Sequence, residues 1–304
     1  SIEEAIQMNN VDIERNILAF RYGRLYAVDP DRVMQLAFPG ESAPKDNLEL
    51  FRQKLGQKNG ILFNQLLKRI SCAGPPREKI AREIFELFMF QNGSYAERFV
   101  EFVEEIQAFD QSRFSARNLK FTECVADNLF RVMAYKDEYR VADLLTRPEE
   151  IQNLTAQYDP GEIRKIRYLL RPPILGRIPW LRNLKFIRAK FENDEKWETP
   201  GWLLSLLKHF KFLRGTGLDP FAWGSEIRRM EMGAAEIYKE RIRALTHHLH
   251  ETNYAEACAA AAYPGLETGY DAVKEIHHKK AEEFWAQKSM NVLSASTSLS
   301  PEPG

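Results

Sequence analysis

Residues 77–106, REKIAREIFELFMFQNGSYAERFVEFVEEI, decide the fold class. In the first half, Ile80, Ile84, Leu87 and Phe88 recur at spacings of three and four, which sets them along one face of a helix. Asn92-Gly93-Ser94 interrupts the pattern as a turn, with Ser94 suited to cap the helix that follows. Tyr95, Phe99, Phe102, Val103 and Ile106 repeat the period in the second half. Two amphipathic helices joined by so short a turn make a helical hairpin.

The same period extends in both directions. Upstream, Ile2, Ala5, Ile6, Ile13, Ile17 and Phe20 form apolar stripes, and Gly23 with Asp29-Pro30 is expected to end this unit. Residues 38–47 read as a loop, 48–55 and 61–70 as short helices divided by Gly56 and Gly60, and Ser71–Pro76 as a break. Downstream, one long helix is expected from Leu119 to Leu145, with Val125, Leu129, Val132 and Met133 on one face, ending at Arg147-Pro148. Another starts near Pro160 and stops at Arg171-Pro172-Pro173. A short apolar helix, 202–212, and helices over 225–250, 253–262 and 268–287 complete the series. Residues from Asn291 onward are polar and Ser/Pro-rich and read as disordered. Apolar/polar alternation is rare, so strands are not expected. The pattern predicts an all-α, bundle-like array of helices with irregular Pro-rich connections. Its expected parts are a helical segment over 1–30, a connector with the hairpin over 31–112, a helical domain over 113–289 and a tail over 290–304.

Composition narrows the function classes. In 304 residues, 43 Lys and Arg balance 43 Asp and Glu, and a neutral chain is a poor general binder of nucleic acid. Cys72, Cys124 and Cys258 are too scattered for a disulfide framework or a thiolate metal site, which fits a reducing cytoplasm. No apolar run approaches the roughly 18 residues that span a bilayer, and SIEEAIQMNN lacks the basic and apolar regions of a signal peptide. Motifs of the forms G-x-G-x-x-G, G-x-x-x-x-G-K-[ST], C-x-x-C, H-E-x-x-H and G-x-S-x-G do not occur, which argues against a self-contained cofactor enzyme.

Four stretches carry charged or metal-ligating groups. His247 and His250, at i and i+3, share a helix face that suits zinc if a third ligand faces them, and His277-His278 lies on the next helix; a solvated polar stripe is the plainer alternative. Tyr135, Lys136, Asp137 and Tyr139 set aromatics beside charges in what reads as mid-helix, a composition suited to a partner contact; a solvated face laced with ion pairs is the plainer alternative. Arg214-Gly215-Thr216-Gly217 combines a fork donor with glycines that admit close backbone approach, and Arg228 and Arg229 follow it, so an anion site is one reading. The other is a helix connection in which Asp219 caps the next turn. The basic run Arg177, Arg182, Lys185, Arg188 and Lys190, with Trp180 and Phe186 among it, suits phosphates or an acidic surface, with a solvated charged face as the plainer alternative.

Two of these stretches also carry a family resemblance. Asn118–Thr146, NLKFTECVADNLFRVMAYKDEYRVADLLT, and Phe212–Met230, FLRGTGLDPFAWGSEIRRM, resemble segments of indolepyruvate ferredoxin oxidoreductase. Ala5–Arg24, AIQMNNVDIERNILAFRYGR, resembles the end of the γ-type domain of that 2-oxoacid oxidoreductase family. The resemblance covers most of 1–24 and 78–287. It implies the helical C-terminal part of an enzyme that decarboxylates arylpyruvates oxidatively on thiamine diphosphate. The acyl group goes to coenzyme A and the electrons pass through iron–sulfur clusters to ferredoxin. The implied partners are the thiamine- and cluster-bearing domains or subunits, with neither nucleic acid nor membrane involved. Three isolated cysteines cannot hold a four-iron cluster, so those cofactors are expected elsewhere, no metal is assigned to this chain, and no catalytic residue is carried over. The chain matches only the last part of that enzyme and is read as a separate subunit or a fragment. Its expected role is structural, with Arg214, Gly215, Thr216, Arg228, Arg229, Arg182 and Lys185 as ligand-binding candidates, of which Arg214 and the basic run 177–190 are the expected contacts to the coenzyme A phosphates. An independent all-α interaction module and a His-dependent metal enzyme are the alternatives.

Overall fold

A computed structural model describes residues 2–9, 11–37, 47–114, 119–156, 166–170, 197–223, 226–267 and 271–297. The chain is all-α: helices dominate, and the one sheet among the described residues is a pair of three-residue strands. The chain divides into two units, Ser1–Leu50 and Phe51–Gly304.

In the first unit, α1 (Ile2–Asn9) packs on α2 (Ile13–Val28), and α2 on α3 (Pro30–Ala37). Arg21 clamps Glu3 with two hydrogen bonds of 3.0 and 2.8 Å. Gly23 does not interrupt α2, because a lone glycine inside a helix costs only about 1 kcal/mol. Nor does Asp29-Pro30 end the unit. The Asp29 carboxylate accepts from Arg32 N at 3.0 Å, and Pro30, which has no N–H to satisfy, starts α3. The loop expected over 38–47 lies almost wholly outside the described residues.

The second unit begins along α4 (Asn47–Lys68), which breaks at Gly56, where φ is +72°. Gly60 is helical: its close approach to Arg52 O, 3.3 Å from where a Cβ would stand, is why a glycine sits there. The hairpin of α5 (Gly74–Phe90) and α6 (Gly93–Phe114) forms as its periodicity requires, with Ile80, Ile84, Leu87, Phe99 and Val103 buried. Pro75 and Pro76 start α5 rather than preceding a gap. The cap of α6 is Asn92, whose Oδ1 accepts from Tyr95 N at 2.9 Å, and not Ser94. A Cβ on Gly93 would come within 2.7 Å of Leu62, so the glycine lets the turn close against α4.

α7 (Lys120–Met133) packs against α5, α6, α11 (Glu226–Thr246) and α12 (Tyr254–Ala261) and buries Phe121, Val125, Leu129 and Met133. Its start is fixed by Asp110 of α6. That carboxylate accepts from Thr122 N (3.0 Å), Thr122 Oγ1 (2.9 Å) and Tyr254 OH (2.9 Å), and the tyrosine oxygen accepts from Phe121 N. A buried carboxylate with three donors ties α6, α7 and α12 together. The regions expected to part at residue 112 therefore share one core.

α7 does not run on to Leu145. It ends at Met133, and α8 (Glu138–Leu145) begins with Asp137 as its cap, accepting from Arg140 N at 2.7 Å. Pro148 opens a further helix, α9 (Pro148–Thr155), which the sequence reading did not separate. Strands β1 (Tyr168–Leu170) and β2 (Trp197–Thr199) pair antiparallel, with Tyr168 opposite Thr199. α10 (Gly201–Leu207) continues as a 3₁₀ turn over Lys208–Leu213. A second 3₁₀ turn, Tyr263–Leu266, precedes α13 (Asp271–Thr297). α13 passes the expected tail start at Asn291 because Val292 is buried and its carbonyl accepts from Asn253 Nδ2 at 3.0 Å. The helix expected from Pro160 to Arg171 falls mostly outside the described residues, and its end, Tyr168–Leu170, is strand.

Candidate functional site

Asp137 is both the cap of α8 and the centre of a buried ion-pair junction. Arg214 donates from Nε to Asp137 Oδ2 at 2.5 Å and from Nη2 to Oδ1 at 2.9 Å, a bidentate pair whose side chains are 5% and 0% exposed. The remaining Arg214 nitrogen, Nη1, donates to Gln91 Oε1 at 2.8 Å and to the Phe90 carbonyl. The guanidinium stacks 3.6 Å from the Phe90 ring centroid. Gly215, at φ +76°, supplies the turn beside it. Arg228 reaches Asp137 Oδ2 at 3.5 Å and pairs with Glu138 and Glu231, its guanidinium 5.4 Å from the Tyr135 ring.

Tyr139 donates its hydroxyl to Asp219 Oδ1 at 3.0 Å, and the same oxygen accepts from Phe221 N at 3.1 Å. Asp219 thus caps the turn after Gly217, as one reading of the sequence had it. Burial, then the nearby Asp219 charge and its hydrogen bond, push the Tyr139 phenol up, so it stays a donor. Lys211 completes the end of α5: its ammonium donates to Met89 O at 2.6 Å and Phe88 O at 3.4 Å, a cation at a helix C-terminus. Desolvation pulls the Lys211 amine down, with Asp143 opposing.

A second charged cluster lies beside the first. Glu86 of α5 faces Arg140 and Arg147, and Asp143 pairs with both arginines. Burial acts to raise the Glu86 carboxyl, but the bond from Arg147 and the charge of Arg140 hold it below its ordinary value. Arg147 makes bonds of 3.1 Å to each Glu86 oxygen and of 3.0 and 2.7 Å to Asp143.

The structure therefore brings together Asp137, Tyr139, Arg214 and Arg228 from the sequence candidates and turns all four inward. An anion reading for Arg214 fails on this geometry, since each of its nitrogens already donates to a protein oxygen. Tyr135 is half-buried against Phe90, 5.3 Å between centroids, rather than on an open surface. Lys136 and Arg229 are exposed, and Thr216 closes a local turn, donating to Leu213 O and accepting from Leu218 N. Arg182, Lys185 and the rest of the basic run lie outside the described residues. Phe90, Gln91 and Lys211 belong to the junction and were not singled out, because nothing in a hairpin terminus signals that two basic side chains 122 and 124 residues away will cap it.

The histidines separate as well. α11 ends at Thr246, so His247 and His250 sit in the following turn rather than on a helix face. Among the described residues, the group able to hold a metal is instead Glu267, His278 and Glu282. The His278–Glu282 spacing was visible in the sequence, whereas Glu267 was not.

Residues 76–287, which contain both charged clusters and both motif segments, match the model of a protein family of unknown function, DUF6537. The chain belongs to the DUF6537 family. No curated protein and no solved structure matches it. In DUF6537 terms, the junction at Asp137 lies within the matched region, as does the Glu267 group. No helix among the described residues is long and apolar enough to cross a membrane.

Proposed function

We propose that this chain is a non-catalytic helical part of an indolepyruvate-type 2-oxoacid:ferredoxin oxidoreductase, with a structural and docking role. The complete enzyme would use thiamine diphosphate, iron–sulfur clusters and coenzyme A carried by partner domains or subunits, and ferredoxin would take the electrons. The observation that supports this reading is the Asp137–Arg214 pair. The two most specific stretches of the resemblance, 118–146 and 212–230, are far apart in sequence, yet each contributes one half of that pair. Their charged residues are spent on each other, as expected of a scaffold and not of a catalytic centre. Contact with coenzyme A through Arg214 is set aside on the same ground. Docking is further supported by a run of exposed apolar side chains on and after α10, including Trp202, Leu206 and Phe212.

The test is co-expression of the chain with the thiamine- and cluster-bearing region of such an enzyme, followed by size-exclusion chromatography. A stoichiometric brown complex that oxidises arylpyruvates is the expected result. Separate elution of the two, with turnover unchanged by leaving the chain out, would overturn the reading.

A further inference from the structure

His278 and Glu282 stand four residues apart on α13, which puts them one turn apart on one face. Glu267, just past the 3₁₀ turn Tyr263–Leu266, meets them from outside the helix. Ligand atoms of the three lie within 4.8 Å of one another, and His278 Nδ1 is 3.0 Å from Glu267 Oε1. All three are half-buried, so a cation there would be partly desolvated yet reachable.

The setting behind Glu282 is built as well. Arg241 of α11 donates from Nη1 to Glu282 Oε1 at 2.8 Å and from Nη2 to Oε2 at 2.6 Å. The Arg241 guanidinium lies 5.0 Å from the Tyr263 ring and 5.3 Å from the Trp285 ring. An arginine held between two aromatics fixes the carboxylate it binds. Arg241 also holds the Glu282 carboxyl below its ordinary value, so it is ionised, and each oxygen keeps a lone pair directed away from the guanidinium.

We propose that Glu267, His278 and Glu282 form a site for a divalent transition metal of the zinc class. One imidazole and two carboxylates on three side chains match the donor count of zinc sites that keep a fourth position open. Imidazole disfavours Mg²⁺ and Ca²⁺, which take oxygen ligands. The metal would replace the His278–Glu267 hydrogen bond with coordinate bonds and staple α13 to the 3₁₀ turn before it. This site is independent of the assembly proposed above.

The experiment is a titration of the metal-stripped full chain with ZnCl₂, and separately with MgCl₂, by isothermal calorimetry. Expected is one equivalent of Zn²⁺, with Mg²⁺ silent at the same concentration. Binding should fall at least tenfold in His278→Ala and in Glu267→Gln, and stay unchanged in a His247→Ala/His250→Ala double variant. Circular dichroism checks that each variant keeps its helices; should His278→Ala lose them, Glu267→Gln, which preserves size, decides. Zinc binding that survives Glu267→Gln or is lost in the His247/His250 variant would overturn the site, as would no zinc binding or equal uptake of Mg²⁺.

Discussion

Replacing Glu83 with glutamine should stabilise the protein, and the gain should depend on pH. Glu83 lies on α5, is 4% exposed, and neither of its carboxyl oxygens has a hydrogen-bond partner among the described residues. Desolvation, then the charge of Asp127, push its pKa from an ordinary 4.5 up to about 8. The nearby cations oppose this only in part, because Lys79 is engaged 2.8 Å from Asp127 Oδ1 and Arg131 lies 3.5 Å from Asp127 Oδ2. In the fold, Glu83 is protonated up to about pH 8, whereas in the unfolded chain it ionises above 4.5. Between those values the folded state binds more protons, so each rise of one pH unit removes up to about 1.4 kcal/mol of stability. The contribution is whole below pH 4.5 and gone above about 8.

Glutamine keeps the side-chain size and leaves its amide as poorly satisfied as the carboxylic acid, so that cost cancels in the comparison. What remains is the proton linkage. Glu83→Gln should exceed the parent by about 3 kcal/mol at pH 7 and by on the order of 1 kcal/mol at pH 5. The assay is urea unfolding of both proteins at pH 5, 6, 7 and 8, read as the difference between them, so that titrations common to both drop out. Parallel pH profiles, or a variant less stable than the parent at pH 7, would refute the reasoning.

Asp137→Asn leaves Arg214 buried without its counter-charge and should cost about 3–5 kcal/mol in the same urea assay; a loss below 1 kcal/mol would show that the junction is not buried in solution. Gly215→Ala should cost about 1–2 kcal/mol, because φ is +76° there, whereas Gly217→Ala, with open space around the new Cβ, should be close to neutral; equal effects in thermal melts would count against the turn. Arg243 and Glu105 pair at 2.7 Å with both side chains about half exposed, so Arg243→Ala should cost under about 1 kcal/mol, with the difference shrinking in 1 M NaCl.

Much of the fold was written in the chain, and the failures share a cause. The α5–α6 hairpin was legible because its apolar period continues unbroken through both helices. The α7–α8 break was not, because Tyr135–Tyr139 is compatible with a helix and the cap role of Asp137 depends on where Arg140 N comes to lie. Ser94 and Asn92 are both competent caps by composition, and the start of the helix at Gly93 decides between them, since it leaves Asn92 at the cap position and Ser94 inside the first turn. The end of α13 was hidden for a similar reason: its polar residues read as tail, while one buried valine and one asparagine from a distant loop hold it. At the site, the sequence showed that Arg214 is a fork donor. It could not show which way the fork points, since the partner lies 77 residues away.

That inward turn bears on what the surface is for. Buried ion pairs are a weak source of stability against an apolar alternative, and their better attested value is in fixing one arrangement. Here the arrangement fixed is local and inverted. On the 3₁₀ turn after α10, Lys211 points in and spends its charge on the carbonyls ending α5, while Phe210 and Phe212 on either side point out, Phe212 63% exposed. Trp202, on the preceding helix, is 69% exposed. A turn selected for solubility alone would set the lysine in water and an aromatic against α5, since exposed apolar area costs about 25 cal/mol per Å². Reversing that choice, and anchoring the reversal with the neighbouring Arg214–Asp137 pair, makes sense where another surface covers the aromatics. Under the docking role proposed above, the charged junction and the apolar run would be two sides of one device, the first holding the second in place for the partner surface.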